Sequence, residues 1–161
     1  MDSSKYANNE YAVELEHVSK IYKLKKKDGE PNNNVVSTMI WGSMWDRALI
    51  WLTETGEKTY KEITNSTTWG NYRDSTGAAA TNSGSKQPTG TNEAWKANNI
   101  YDLAGNVYDW TIEAVYAYSR VGRGGYSGNS GSPSPSSVRS NYGPSDTGSD
   151  IGTRLAFYVA M

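Results

Sequence analysis

Between Trp41 and Leu52 the apolar residues fall at Trp41, Met44, Trp45, Ala48, Leu49 and Leu52. That is the three-and-four spacing that gathers side chains on one face of an α-helix. Asp46, Arg47, Thr53 and Glu54 take the other side, and Trp51 stands beside the apolar stripe, where it widens it. Ser37 or Thr38 is placed to cap the start, and Gly56 to end the helix. The spacing predicts a helix over about 42–55. At the far end, Arg154-Leu155-Ala156-Phe157-Tyr158-Val159 alternates with period two, predicting a strand with Leu155, Phe157 and Val159 on one side. Residues 1–30 are charged, with modest helical periodicity through Val13, Leu15, Val18, Ile21, Tyr22 and Leu24, and they close on the turn-forming run Asp28-Gly29-Glu30-Pro31-Asn32-Asn33-Asn34. This segment fits a strand pair, a short helix, or an extension docked on a neighbour.

From Lys58 to Ala97 the periodicity dissolves into Thr, Asn, Ser and Gly. The stretches 65–72 and 76–90 read as long loops, with Trp69, Tyr72 and Trp95 as anchors. Such loops are uncommon inside a compact domain and belong to functional or strongly irregular folds. Next comes Asn98-Asn99-Ile100-Tyr101-Asp102-Leu103-Ala104-Gly105-Asn106-Val107-Tyr108-Asp109-Trp110-Thr111. Asp102, Gly105 and Asn106 supply turn chemistry, and Val107, Trp110 and Ile112 are core candidates on a short strand. In Arg120-Val121-Gly122-Arg123-Gly124-Gly125 the glycines mark backbone that passes close to a neighbour or takes positive φ.

Composition narrows the function classes. At 161 residues the chain suits one domain, and although only 36% of it is hydrophobic, six Trp and twelve Tyr are too many for a disordered chain. A net charge of −1 offers no basic field for nucleic acid. The cluster from Lys23 to Lys27 reads as a solvated surface stretch. No apolar run approaches the roughly 20 residues that span a bilayer, and the polar start Met1-Asp2-Ser3-Ser4 does not read as a signal peptide. The expectation is a partner that is neither nucleic acid nor membrane interior, with location left open. Cysteine is absent, which removes disulfides, thiolate nucleophiles and cysteine metal sites together. His17, the only histidine, sits in a charged segment and reads as a surface residue. With no Ser-His-Asp set, no histidine cluster and no phosphate-cradling loop, the expectation is no catalytic residue, no metal ligand set and no cofactor.

The segment from Ser119 to Val159 has a composition of its own. Its 41 residues include no Lys, Glu, Gln, Met or Trp, although these types fill 29 of the preceding 118 positions and about ten would be expected. Ser, Gly, Tyr, Asn and Asp replace them, as in Gly124-Gly125-Tyr126-Ser127-Gly128-Asn129-Ser130. Rigid Tyr with adaptable Ser, Gly and Asn is the repertoire of an antibody-like binding loop. It is also the repertoire of a flexible linker. The choice between the two decides the function.

Three motifs in order carry a family resemblance over roughly Thr38 to Val159. Residues 98–111 resemble the "N-x-Y-D-L-x-G-N-V-W-E-W-T" signature of C-type lectin folds of the formylglycine-generating-enzyme type. Arg123-Gly124-Gly125 resembles that family's "R-G-G" strand, and Gly152-Thr153-Arg154-Leu155 its closing "G-F-R" motif. Tyr108 and Asp109 replace Trp and Glu mildly; Thr153 in place of Phe is a sharper departure. The resemblance implies an α+β, C-type lectin-like fold of short irregular strands, one or two helices and long loops. Residues 1–30 would be an N-terminal extension and 31–161 the domain. Enzymes of the family use a cysteine pair for oxidation, and relatives use histidine-bound iron; neither set is matched here, so the resemblance carries the scaffold and not the chemistry. Calcium-dependent sugar binding would want clustered oxygens, and Asp146 and Asp150 lack that arrangement; a structural calcium near Asn106 or Asp109 is the remaining metal reading.

Another branch of the family matches further. Variable proteins of diversity-generating retroelements, found in phages, prophages and other microbial genomes, display a C-terminal hypervariable surface on this scaffold. Their segment "S-T-x-I-x-G-x-x-W-D" is similar to Ser37-Thr38-Met39-Ile40-Trp41-Gly42-Ser43-Met44-Trp45-Asp46. In these systems a template is copied with errors at adenines. An AAY codon copied so reaches Tyr, Ser, Gly, Asp, Thr, Ile and Val, but never Lys, Glu, Gln, Met or Trp, the five types missing after Ser119. The resemblance implies a ligand-binding display protein with a candidate variable region at about 120–155. Arg123, Gly124, Gly125, Pro133, Pro135, Arg139, Pro144, Gly152, Arg154, Leu155 and Phe157 would be framework. The candidate binding positions are Gly122, Tyr126, Ser127, Asn129, Ser130, Val138, Ser140, Asn141, Tyr142, Ser149, Asp150, Ile151 and Thr153, with Tyr126 and Tyr142 as anchors. A variable protein or cell-surface ligand is the expected partner. The alternative is a non-catalytic structural or sugar-binding lectin module with an ordinary Ser/Gly-rich loop.

Overall fold

The computed structural model describes residues 14–16, 19–21 and 35–159, with side chains from Thr38 to Ala156. His17 lies outside the described residues, as do the side chains of Phe157 and Val159. The chain divides into two compact units, one made of Met1–Thr38 with Ala156–Met161 and the other of Met39–Leu155. In the terminal segments β1 (Glu14–Glu16) pairs antiparallel with β2 (Ser19–Ile21), which decides for a strand pair over a helix at these residues. The strand β3 (Val35–Met39) pairs with the last strand of the chain.

The predicted helix is α1, Gly42–Glu54. Trp45, Leu49 and Leu52 are its buried stripe, and Gly56 follows with φ of 73°, the left-handed conformation that ends helices. Two expectations need correction. The helix starts behind Trp41, without a side-chain cap from Ser37 or Thr38. Trp41 and Trp51 are half exposed, so the buried stripe is narrower than the sequence spacing suggests.

A second helix, α2 (Tyr60–Thr64), fits the one or two helices that the resemblance implies, although no periodicity in the sequence locates it. Its five residues are started by a reciprocal capping box. The Glu62 N–H donates to Thr59 Oγ1 at 3.2 Å, and the Thr59 N–H to the Glu62 carboxylate at 2.8 Å. That contact with the Thr59 N–H holds the Glu62 carboxyl below its ordinary range. Ile63 is the residue α2 buries.

The long middle region is irregular and is anchored where the sequence places its anchors. Trp69, Tyr72 and Trp95 are buried, each with its polar tip on a backbone carbonyl: Trp69 Nε1 on Glu62, Tyr72 Oη on Gly124 and Trp95 Nε1 on Ala79. A buried Trp or Tyr whose N–H or O–H found no acceptor would forfeit part of the gain from burying its ring. Short 3-10 turns at Gly77–Ala80 and Glu93–Trp95 lead into the hairpin of β4 (Lys96–Ala97) and β5 (Ile100–Tyr101). Asn98 and Asn99 turn it with positive φ; Asp102, Gly105 and Asn106, also at positive φ, make the next turn. At Gly105 the conformation has a second cause, because a Cβ would lie 2.0 Å from the Asn71 carbonyl oxygen.

The remaining strands are β6 (Tyr108–Trp110), β7 (Arg120–Arg123), β8 (Arg139–Tyr142), β9 (Ile151–Thr153) and β10 (Leu155–Val159), the last being the partner of β3. Four of them form a sheet in the order β8-β7-β6-β9, in which β9 alone runs parallel to its neighbour.

Candidate functional site

Cross-strand partners share a face of a sheet, and alternate residues take opposite faces. Trp110 pairs with Gly122 and Thr153, Gly122 with Ser140, Arg120 with Tyr142, and Tyr108 with Ile151. One face therefore carries Tyr108, Trp110, Arg120, Gly122, Ser140, Tyr142, Ile151 and Thr153. The other carries Asp109, Val121, Arg123, Arg139, Asn141 and Gly152.

The second face looks inward and is held by charge. Arg123 has no exposed surface; its Nη2 meets Asp46 Oδ1 of α1 at 2.5 Å, and its guanidinium lies over the Trp45 ring at 5.9 Å. Arg139 reaches the other Asp46 oxygen and donates from Nε to Glu113 at 2.9 Å. Arg154 pairs with Asp109 at 3.2 Å and donates to the Tyr101 carbonyl at 2.9 Å. Burial lowers the Arg123 pKa, and the Asp46 carboxylate opposes that shift. The tail of Glu113 fills the place a side chain at Gly42 would take, 2.0 Å from an added Cβ, so its carboxylate sits against the first turn of α1. Gly42, Trp45 and Asp46 thus each have a partner on or beside the sheet.

The first face is aromatic. The Tyr108 ring lies 5.8 Å from Tyr126 and 5.4 Å from Tyr142, and Trp110 lies 5.7 Å from Tyr142 in an edge-to-face contact. Such pairs contribute about 0.5–1.5 kcal/mol beyond their buried area. Ser140 Oγ donates to the Tyr108 hydroxyl at 3.2 Å. Gly122 lies beneath the Tyr142 ring: a Cβ there would stand 3.0 Å from it. Tyr108 is 4% exposed; Trp110, Tyr126 and Tyr142 are half-buried. Burial and the neighbouring Tyr108 push the Tyr142 hydroxyl well above the ordinary phenol range, so it stays protonated.

The Ser/Gly-rich stretch beside this face is tied down. The Gly131 N–H donates to Asp74 at 2.8 Å, and the Gly131 carbonyl accepts from the Ser66 N–H at 2.9 Å. Trp45 Nε1 donates to the Ser136 carbonyl at 2.9 Å, while the Ser136 hydroxyl donates to Ile63 of α2 at 3.1 Å. Arg73 holds both the Asn129 carbonyl, through its N–H at 3.1 Å, and Ser130 Oγ, through Nε at 3.0 Å. A linker of the same composition would make none of these contacts.

Of the sequence-derived positions, Gly122, Ser140, Tyr142, Ile151 and Thr153 share the aromatic face, with Tyr126 against it. Asn141 is on the opposite face, on the outer strand, and exposed. Ser127 is buried, its N–H on the Asn106 carbonyl. Asn129 and Ser130 face Arg73. Val138 is half-buried, and Ser149 is exposed in the loop ahead of β9. The Asp150 carbonyl accepts from the Tyr108 N–H at 2.8 Å. Tyr108, Trp110 and Arg120 belong to the face and were not singled out as binding residues in the sequence. The aromatic-acid-aromatic alternation Tyr108-Asp109-Trp110 is the signal that could have found the first two, and nothing comparable marks Arg120.

Among the described residues no group of three or more His, Asp or Glu is arranged to hold a metal ion. Asn106 Oδ1 already accepts from Asn71 and from the Gln87 N–H. No helix among them is long and apolar enough to cross a membrane.

Residues 46–159 match the family model described as the sulfatase-modifying factor enzyme 1-like domain. The chain belongs to that family. Its fold is the C-type lectin-like, α+β arrangement of the sulfatase-modifying factor type, and a solved structure agrees. Treponema denticola variable protein 1 is similar with a TM-score of 0.50 at 21% identity, over 79% of this chain and 49% of that one. The chain thus spans about half the length of that protein. A search of curated proteins returned no match. Within the sulfatase-modifying factor domain, the Arg-Gly-Gly motif places buried Arg123 on Asp46 and turns the chain through Gly124 and Gly125, both at positive φ. Thr153, where the closing motif has Phe, is exposed on the aromatic face.

Proposed function

We propose that this protein is a non-catalytic display protein. Its C-terminal surface would be diversified by adenine-directed copying from a retroelement template and would bind a variable protein or cell-surface target. The observation that carries the reading is the coincidence of two independent features. The segment that lacks the five residue types unreachable from AAY codons is the segment that supplies Tyr126, Ser140, Tyr142, Ile151 and Thr153 to one aromatic face. Half-buried tyrosines on a hydrogen-bonded support offer contact area at low entropic cost, which is what a protein-binding surface needs. The likeness in fold to a protein named as variable supports the same reading. The absence of cysteine supports a role without the oxidative chemistry of the family's enzymes.

The test is genetic first. The DNA flanking the gene should hold a reverse transcriptase and a near-copy of the coding region for about residues 120–155, with differences confined to adenines in the copy. A flanking region with neither removes the reading and leaves a lectin-fold module with an ordinary loop. A second test is selection: a library randomised at Tyr126, Ser140, Tyr142, Ile151 and Thr153 should yield binders to an arbitrary folded protein such as lysozyme.

A further inference from the structure

Tyr142 is both a candidate contact residue and a plug. Its ring sits in a slot whose floor is Gly122, where a Cβ would be 3.0 Å away, and whose walls are Tyr108 at 5.4 Å and Trp110 at 5.7 Å. The walls come from β6, ahead of the segment with the restricted composition, whereas the plug comes from β8 within it. Tyr108 is further fixed by its N–H on the Asp150 carbonyl and by Ser140 on its hydroxyl. The two walls are therefore framework, while the occupant Tyr142, the floor Gly122 and the supporting Ser140 lie in the segment read as variable.

We infer that position 142 sets the depth of the recognition face. A small residue there opens an aromatic-walled slot that takes a planar aromatic group, such as a tyrosine or tryptophan side chain offered by a protein partner. With Tyr142 in place the slot is filled by the chain itself, and a partner meets a flat surface. The residue types that copying can place at an AAY codon include Ser, Gly, Asn and Asp, all smaller than the slot. The shape of the vacancy is that of a phenol ring, because a phenol ring occupies it now. Enclosed apolar cavities emptied of a side chain hold matching aromatic molecules, and the same stacking is available in this slot, which is open on its solvent side. The inference takes its biological use from the display reading but not its geometry.

The experiment compares the native protein with Tyr142→Ser, using p-cresol and indole as probes and calorimetric titration with thermal unfolding as readouts. Tyr142→Ser is expected to bind p-cresol at least about tenfold more tightly than the native protein does, and to gain thermal stability from it. Adding Trp110→Ala to Tyr142→Ser should abolish that gain while p-cresol leaves the native unfolding temperature unchanged. Equal binding by a folded Tyr142→Ser and the native chain overturns the inference, as does binding indifferent to Trp110→Ala. A Tyr142→Ser chain that does not fold overturns it too, since position 142 would then be core. None of these results touches the display reading, which fails instead on the missing template or a barren library.

Discussion

The carboxylate of Asp46 on α1 meets the guanidinium of Arg123 on β7 at 2.5 Å, and Arg123 exposes no surface. Nε and Nη1 of the same guanidinium are buried without a hydrogen-bond partner, so its charge leans on Asp46 and on the Trp45 ring. The Asp46 side chain is 36% exposed, but removing it strands the fully buried guanidinium, at about 3 kcal/mol, the low end for a buried pair. Asp46→Ala should therefore cost about 3 kcal/mol or more in urea unfolding. Arg139, which uses the other Asp46 oxygen, is 47% exposed in its side chain. Arg139→Ala should cost less than about 1 kcal/mol. Equal losses would mean that burial does not govern the network.

Two glycines should respond unequally to alanine. At Gly105 an added Cβ meets the Asn71 backbone at 2.0 Å with φ at +75°. At Gly42 it meets the Glu113 side chain, whose carboxylate end at 2.0 Å can swing aside but whose Cβ at 2.9 Å needs a small shift of its backbone. Gly105→Ala is expected to prevent folding or to cost several kcal/mol, and Gly42→Ala roughly 1–3 kcal/mol. Circular dichroism and thermal melts would report the order.

Asp102 is 5% exposed, and both carboxylate oxygens lack a hydrogen-bond partner. Burial raises its pKa above the ordinary carboxylate value, with the nearby Thr89 side chain, beyond good hydrogen-bond geometry, and then the Arg154 charge opposing. A carboxyl whose folded pKa is raised favours the folded state while protonated, and the cost of burying its charge appears as pH rises through the folded pKa. Asparagine keeps the left-handed backbone at this position, where φ is 57°. Asp102→Asn should thus be more stable than the native chain near pH 8, by about 1 kcal/mol or a shift of roughly 2–4 °C. The difference should shrink as pH falls. A gain that does not change with pH would show that charge burial is not its source.

Trp45→Phe keeps the ring in the core but removes the N–H that donates to the Ser136 carbonyl. A buried carbonyl left alone costs about 1–3 kcal/mol. Hydrogen exchange should quicken around Ser134–Val138 while α2, capped by Thr59 and Glu62, keeps its protection. Exchange unchanged in that stretch would remove Trp45 as its anchor.

The fold was legible where a motif or a period runs long enough. The three-and-four spacing of Trp45, Leu49 and Leu52 located α1, and the glycines of the Arg-Gly-Gly motif announced their positive φ. Helix α2 escaped because five residues carry no period, though Thr59 and Glu62 spell its cap. Trp41 was assigned to the buried stripe because periodicity cannot show where a helix loses its cover. Tyr108 and Trp110 were harder to read. Trp110 was taken for core, yet it stands half-buried on the aromatic face, while Asp109 between the two aromatics turns to Arg154, a pairing that spans 45 residues. Asn141 and Ser127 were named from composition, which carries no information about the face of a strand or the depth of a turn.

The stretch from Gly124 to Ser136 is held largely through its own main chain. The carbonyls of Gly124, Asn129, Gly131 and Ser136 accept from Tyr72, Arg73, Ser66 and Trp45, and the N–H groups of Ser127 and Gly131 donate to Asn106 and Asp74. Every amino acid carries that carbonyl, and all but proline carry that N–H. The path of this segment is therefore indifferent to the identity of most of its outward side chains. Because cysteine takes no part, the same path would persist in reducing and oxidising surroundings alike, a freedom that disulfide-braced binding domains lack.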